Sequence, residues 1–327
     1  MENINLNHQV IGIVGLAKNT GKTTTFNYLT SILKDQHKIG ITSIGLDGED
    51  FDQITFLPKP KIYVYKHMVV ATAKSLLKGV KFVYRVLEET QLATALGPVV
   101  IIEMVTEGYV VLAGPATNKD LNTLVLKIKK FSEKILIDGA LNRMTFASIK
   151  TMDAIILATG ASLFQYMEKT IEKTKQIIDS FMLPKLPSMI FDNCHMAIKS
   201  NNDIRCYKTK DLSVLLKKQG HIQAIELKGA LTTKMVDFFI ENKIRNTNLI
   251  IEDATKLLLS TTSYAHLKTL KIRLFVCHQV KLLAITINPF SPAGHHYDKE
   301  DFLAKMKLST TLPVFNIKEM RDAYVKT

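Results

Sequence analysis

The residues with the clearest chemistry lie near the start of the chain, in "GIVGLAKNTGKTTTFNYL" (12–29). Gly15, Gly21, Lys22 and Thr23 match, in type and order, the glycine, glycine, lysine and hydroxyl residue of a phosphate-binding loop. Such a loop needs glycine so that successive backbone N–H groups can turn inward and surround phosphate oxygens. The helix that follows aims its positive dipole end at the same anion. On this reading Lys22 reaches the β and γ phosphates, the Thr23 hydroxyl ligates Mg²⁺, and Thr24 serves the α-phosphate. Lys18, Asn19 and Thr20 line the loop between the glycines. Lys18 reads either as a solvated loop lysine or as a charge that helps neutralise a transferred phosphate.

A magnesium–triphosphate site also needs carboxylates at neighbouring strand ends to hold metal-bound water. Asp138 ends "KILID" with a glycine after it, and Asp47 follows a second strand in "SIGLDGED". These two are expected to share the catalytic and metal roles with Lys22 and Thr23. Glu49, Asp50 and Asp52 crowd the same loop as Asp47, and a simple Asp-Gly turn is the structural reading of Asp138. Glu103, closing "VVIIE", is a further candidate with no visible charge partner. On the base side, Asn288 follows the buried run of "AITINPFSP" (284–292) and lacks the lysine and aspartate of a guanine-reading Asn-Lys-x-Asp. It resembles the strand-end asparagine with which dethiobiotin synthetase-like proteins contact adenine, which implies ATP rather than GTP; an Asn-Pro turn opener is the structural reading. The adjacent pairs Cys194-His195 and His295-His296 diverge and form no chelating face.

These groups need a strand, a turn and a helix to position them, and the pattern supplies all three. "QVIGIVGL" (9–16) is an apolar run, and Phe26, Leu29, Ile32 and Leu33 recur at helical spacing after the loop. Strands are expected in 37–50, 61–65, 97–105, 134–141 and 153–162. Helices are expected over 71–90, 117–131, with Thr117 or Asn118 as cap, and 163–181. Alternating strands and helices predict a parallel sheet covered by helices, an α/β fold with a three-layer core. From 185 the pattern loosens, so residues 1–184 and 271–327 are read as the core and 185–270 as a smaller inserted α/β region. Two sequential domains split near 200 are the alternative.

The chain has 327 residues, 46% of them hydrophobic, enough for a sizeable core. No apolar run is long enough to span a bilayer, and the first residues lack the basic start of a secretory signal. Three cysteines, without a CxxC pair, point to a reducing, cytoplasmic setting. The net charge of +13 raises a nucleic-acid partner, but the lysines are scattered and no recognition motif accompanies them.

"GLAKNTGKTT", "TSIGLDGED", "PKPKIYV", "AGPATN", "LIDGALNR" and "INPFSPAGHHYD" together resemble a P-loop NTPase family of the dethiobiotin synthetase and partition-ATPase group. More particularly they resemble the reactivase subunits found in operons of adenosylcobalamin-dependent lysine 5,6-aminomutase. The resemblance runs from about residue 10 to 317. It implies a Mg-ATP-dependent release of damaged cobalamin from an inactivated mutase, together with a second ATPase subunit, and it leaves room for a homodimer. In the partition-type ATPases an extra lysine directly follows the first glycine; here Leu16 stands there, so that lysine's role does not transfer to Lys18. The competing class is a small-molecule kinase or ATP-dependent ligase, with Arg143 and Lys18 binding an anionic substrate. A nucleotide-gated binding module without turnover is the third.

Overall fold

The computed structural model describes residues 4–45, 62–115, 117–140, 151–190, 194–201, 203–209, 211–216, 221–317 and 319–320. Their packing divides the chain into Met1–Thr174 with Val280–Thr327, and Lys175–Gln279. The divisions fall after 174 and after 279, where the sequence reading expects them after 184 and after 270.

In the first unit, β1 (Val10–Gly15) is buried along its whole length, as a strand covered on both faces must be. The helix α1 (Lys22–Leu33) returns Phe26, Leu29 and Leu33 onto Ile11 and Ile13 in one core cluster. β2 (Ile39–Ser43), β3 (Ile62–Val64) and β4 (Val69–Ala73) follow. The helix expected over 71–90 does not form. A single 3-10 turn at Lys74–Leu77 leads into β5 (Tyr84–Thr94), which pairs antiparallel with β6 (Gly97–Met104). Gly79 takes a φ of 72° and halts any helix. Beyond it Val80, Phe82, Val83, Tyr84 and Val86 are β-branched or aromatic and suit a pleated surface better than a helix. After β7 (Gly108–Val110) comes α2 (Asn118–Ile128), capped as expected by the Thr117 hydroxyl accepting from the Asp120 N–H. β8 (Lys134–Ala140) and β9 (Ala154–Gly160) follow, and then α3 (Met167–Phe181), whose residues from Lys175 on belong to the second unit.

The second unit contains β10 (Met196–Ser200), β11 (Asp203–Tyr207), β12 (Ile222–Leu227), β13 (Leu231–Thr232), α4 (Thr233–Glu241), β14 (Asn248–Ile251), β15 (Leu257–Leu258), α5 (Thr261–Thr269) and β16 (Arg273–Val276). Its five-stranded sheet has the order β11-β10-β12-β14-β16, the last three strands parallel. Glu226, 2% exposed, accepts from the Ser188 hydroxyl and the Met189 and Ile190 N–H groups, pinning the segment before β10 to the sheet. Cys194 and Cys206 are joined in a disulfide that clips the β10–β11 hairpin. The sequence alone pairs no cysteines; the antiparallel pairing of β10 with β11 carries the segment of Cys194 alongside that of Cys206. Cys277 is free and buried.

The chain re-enters the first unit with β17 (Lys281–Asn288), α6 (Lys299–Ser309) and β18 (Val314–Asn316). The nine-stranded sheet has the order β18-β17-β9-β1-β8-β2-β4-β6-β5. From β18 to β4 every neighbouring pair is parallel; β6 and β5 are antiparallel additions at one edge. The C-terminal ends of β17, β9, β1, β8 and β2 therefore share one edge of the sheet. No helix among the described residues is long and apolar enough to cross a membrane.

Candidate phosphate-binding site

Gly15 ends β1, and the chain then turns into α1 along that shared edge. Five residues, Leu16 to Thr20, separate Gly15 from Gly21. The usual phosphate-loop pattern has four, so Leu16 occupies the place of its first glycine. The structure accommodates this because the Leu16 N–H still bonds the Ala158 carbonyl at 2.9 Å and prolongs the strand. The two left-handed residues of the loop are Asn19, at a φ of 60°, and Gly21, at 89°. Asparagine tolerates that conformation better than most residues. Gly21 also has no room for a side chain, since a Cβ there would lie 2.6 Å from the Ile317 Cδ1.

Three consecutive loop carbonyls are each tied to a hydroxyl or amide. The Thr20 hydroxyl donates to the Ala17 carbonyl at 3.0 Å, and the Ser162 hydroxyl donates to that of Lys18 at 2.8 Å. The Asn288 Nδ2 donates to the Asn19 carbonyl at 2.7 Å. Lys22 folds back across the loop: a Cβ on Gly15 would sit 2.6 Å from its Cδ and 2.8 Å from its Cγ. Lys22, Thr23 and Thr24 form the first turn of α1, whose Gly21 carbonyl accepts from the Thr25 N–H and hydroxyl. The Thr25 hydroxyl is also paired with the Thr286 hydroxyl on β17 at 3.0 Å, fastening the helix to the sheet.

Asn288 and Gly15 thus belong to one sheet, on strands separated by β9 alone. The asparagine expected to face adenine has both ends of its amide engaged, because its Oδ1 accepts from the Phe290 N–H at 3.1 Å. Behind it the loop of residues 289–297 is fastened to the loop after β9. The His295 Nε2 donates to the Ala161 carbonyl at 2.7 Å, and the Tyr297 hydroxyl to that of Phe164 at 2.5 Å. Burial pushes the Tyr297 phenol up, only partly offset by its hydrogen bond to Thr170.

Asp138 does not end its strand; β8 continues to Ala140, and Asp138 lies in register between Ile13 of β1 and Ser43 of β2. It is half-buried, and strand alternation puts it on the same face as Leu136, which packs in the α1 cluster. Asp47, Glu49, Asp50, Asp52 and Arg143 lie outside the described residues, as does the side chain of Asn118. Glu103 belongs to a different setting. β6 runs antiparallel to β4 and pairs Glu103 with Val69 at the start of that strand, the sheet edge opposite Gly15. Lys38, at 2.7 Å, and Arg85 both bridge to it. The Lys38 hydrogen bond outweighs burial and holds the Glu103 carboxyl below the ordinary glutamate range.

Sequence reasoning missed Ser162, whose only signal is its place just after a strand-ending glycine, and it missed Thr20 as a loop-internal bond. Among the described residues no group of three or more His, Cys, Asp or Glu side chains could hold a metal ion. The donor set still suits a magnesium nucleotide, whose ion takes its ligands from a hydroxyl, phosphate oxygens and water rather than from a protein cage. The observation in favour is the loop itself, with its carbonyls tied and a lysine folded over Gly15.

No protein-family model matches the chain, and no curated protein matches it. Among solved structures, the MinC:MinD cell division protein complex of Aquifex aeolicus is similar at 12% identity and a TM-score of 0.31, over 94% of this chain and 79% of that one.

Proposed function

We propose that the chain is a Mg-ATP-binding P-loop NTPase with its nucleotide on the loop from Gly15 to Thr24. The observation that carries this reading is the run of three bonded carbonyls, Ala17 to Asn19, with Lys22 lying across Gly15. A strand-to-helix turn with this conformation presents N–H groups and a helix N-terminus to an anion. Lys22 is the phosphate-facing cation, and Thr23, with Asp47 and Asp138, would hold magnesium and its water. Bound magnesium would supply charge neutralisation on the phosphate oxygens. Thr24 serves the α-phosphate, and Lys18 faces either a substrate phosphate or solvent.

The work done with the nucleotide is, on the family resemblance, conformational reactivation of a cobalamin-dependent aminomutase in concert with a second ATPase subunit. Nucleotide contacts would order the loops near Asp47 and Asp138, and hydrolysis would relax them. Calorimetric binding and turnover of Mg-ATP and Mg-GTP, for the native chain and Lys22→Ala, test this directly. Basal ATP hydrolysis without a metabolite is expected, with binding lost in Lys22→Ala. Unchanged affinity in that variant would sink the phosphate-loop reading. ATP consumption only in the presence of a small metabolite would assign the kinase or ligase class instead.

A further inference from the structure

The bonds to the loop carbonyls come from two strand ends that are themselves locked together. Gly160, ending β9, pairs with Asn288, ending β17. A Cβ on Gly160 would lie 2.3 Å from the Asn288 carbonyl oxygen, so only glycine allows the approach. That carbonyl then accepts from the Ala161 N–H at 2.8 Å. Ser162 and Asn288 are thus two prongs of one rigid support.

In a planar trans peptide, the C=O of one residue and the N–H of the next point in opposite directions. Fixing the Lys18 carbonyl therefore fixes the Asn19 N–H, and fixing the Asn19 carbonyl fixes the Thr20 N–H. The Thr20 hydroxyl does the same for the Lys18 N–H through the Ala17 carbonyl. The Asn19 and Thr20 N–H groups are thus turned away from the support, and the Lys18 N–H away from the Thr20 hydroxyl; successive N–H groups fixed in this way can serve an anion-binding nest. The amide of Asn288 can be oriented in only one way: its carbonyl partner demands the NH₂ group, and the Phe290 N–H demands the oxygen.

We infer that Ser162 and Asn288 are positioning residues that hold the phosphate loop open for an anion, and that Asn288 acts through the loop rather than by reading the base. This rests on the phosphate-loop reading above. The loop has Leu16 where the usual pattern has its first glycine, and Asn19 stands in a left-handed conformation without being glycine. An external brace supplies the definition that a glycine-richer turn has by itself.

Inorganic tripolyphosphate, which has no base, separates the two roles. Binding of Mg-tripolyphosphate and Mg-ATP is measured by calorimetry for the native chain, Asn288→Ala, Ser162→Ala and Ser162→Thr, with a melting curve for each. Asn288→Ala and Ser162→Ala are expected to weaken both ligands by the same factor, about tenfold. Ser162→Thr keeps the hydroxyl and is expected to restore affinity to within about twofold. Loss of ATP affinity with tripolyphosphate unchanged in Asn288→Ala would make Asn288 a base reader and overturn the inference. Full affinity for both ligands in the two alanine variants, or failure of threonine to rescue, would overturn it too. A native chain that binds neither ligand would instead overturn the phosphate-loop reading.

Discussion

Replacing Gly15 by alanine tests the loop with a single methyl group. Gly15 sits in the strand ladder opposite Ala140 and Ala158, so the backbone accepts alanine without strain. The new Cβ would lie 2.6 Å from Lys22 Cδ, 2.8 Å from Lys22 Cγ and 2.8 Å from Thr20 Oγ1. None of these separations is tolerable, but all three atoms are on side chains that can move. The lysine stem swings off the loop, and the Thr20 hydroxyl shifts from the Ala17 carbonyl. Because flexible groups yield, the loss of stability should stay near the low end of overpacking, about 1 kcal/mol. That corresponds to a melting decrease of roughly 2–4 °C for a unit of this size. Binding should suffer more, since a charge-assisted hydrogen bond from Lys22 is worth roughly 1.5–3 kcal/mol. The expected fall in Mg-ATP affinity is therefore roughly ten- to a hundredfold. Calorimetry gives the affinity and circular dichroism the melting point. Unchanged affinity in Gly15→Ala, beside lost affinity in Lys22→Ala, would refute the reasoning, because the lysine would then work from somewhere other than across Gly15. A melting loss above about 10 °C would refute it as well, by showing that the neighbours do not yield.

Gly114→Ala should behave in the opposite way, because its Cβ would lie 1.6 Å from the Ser43 carbonyl oxygen, a backbone atom that cannot swing aside. A stability loss of roughly 3 kcal/mol or more is expected, read from urea unfolding. Glu103 makes the first unit acid-sensitive. Its carboxyl is held below the ordinary range by Lys38, so its contribution is present above that range and disappears as pH falls through the depressed value. In Glu103→Gln the drop in urea midpoint between neutral and acidic pH should therefore be smaller than in the native chain. Of the three cysteines, only Cys277 should alkylate in denaturant without reductant, and mass spectrometry counts the adducts. In the native state Cys277 should not react at all, since burial, seconded by Glu226, pushes its thiol up to about 12.

The elements around the loop were legible because their apolar patterns are unambiguous. Val10 to Gly15 reads as a buried strand, Phe26, Leu29 and Leu33 as a helix face, and the fully buried run Ala154–Gly160 as another central strand. The stretch 71–90 misled because Leu76 and Leu77 imitate a helical face for one turn, while pairing with β6, which no local pattern announces, decides the outcome. Glu103 misled for a related reason: a strand-end carboxylate says nothing about which way its strand runs. In the candidate site, the residue types of Gly21, Lys22 and Thr23 were visible. The carbonyl supports were not, since Ser162 and Asn288 meet Lys18 and Asn19 only through tertiary structure. The Cys194–Cys206 link was hidden in the same way, since it is the antiparallel pairing of β10 with β11 that carries the two segments side by side.

The placement of β17 beside β9 has a consequence for how the chain is made. Synthesis delivers β1, the loop and α1 before β9 and β17, and folding during synthesis proceeds from the N-terminal side. Ser162 follows long afterwards, and Asn288 comes only after the whole of Lys175–Gln279 has been added. A nascent chain therefore carries an unsupported loop until Asn288 has been added, and a chain stopped short of Asn288 would keep it so. The loop leaves the ribosome well before the residues that give it its finished form.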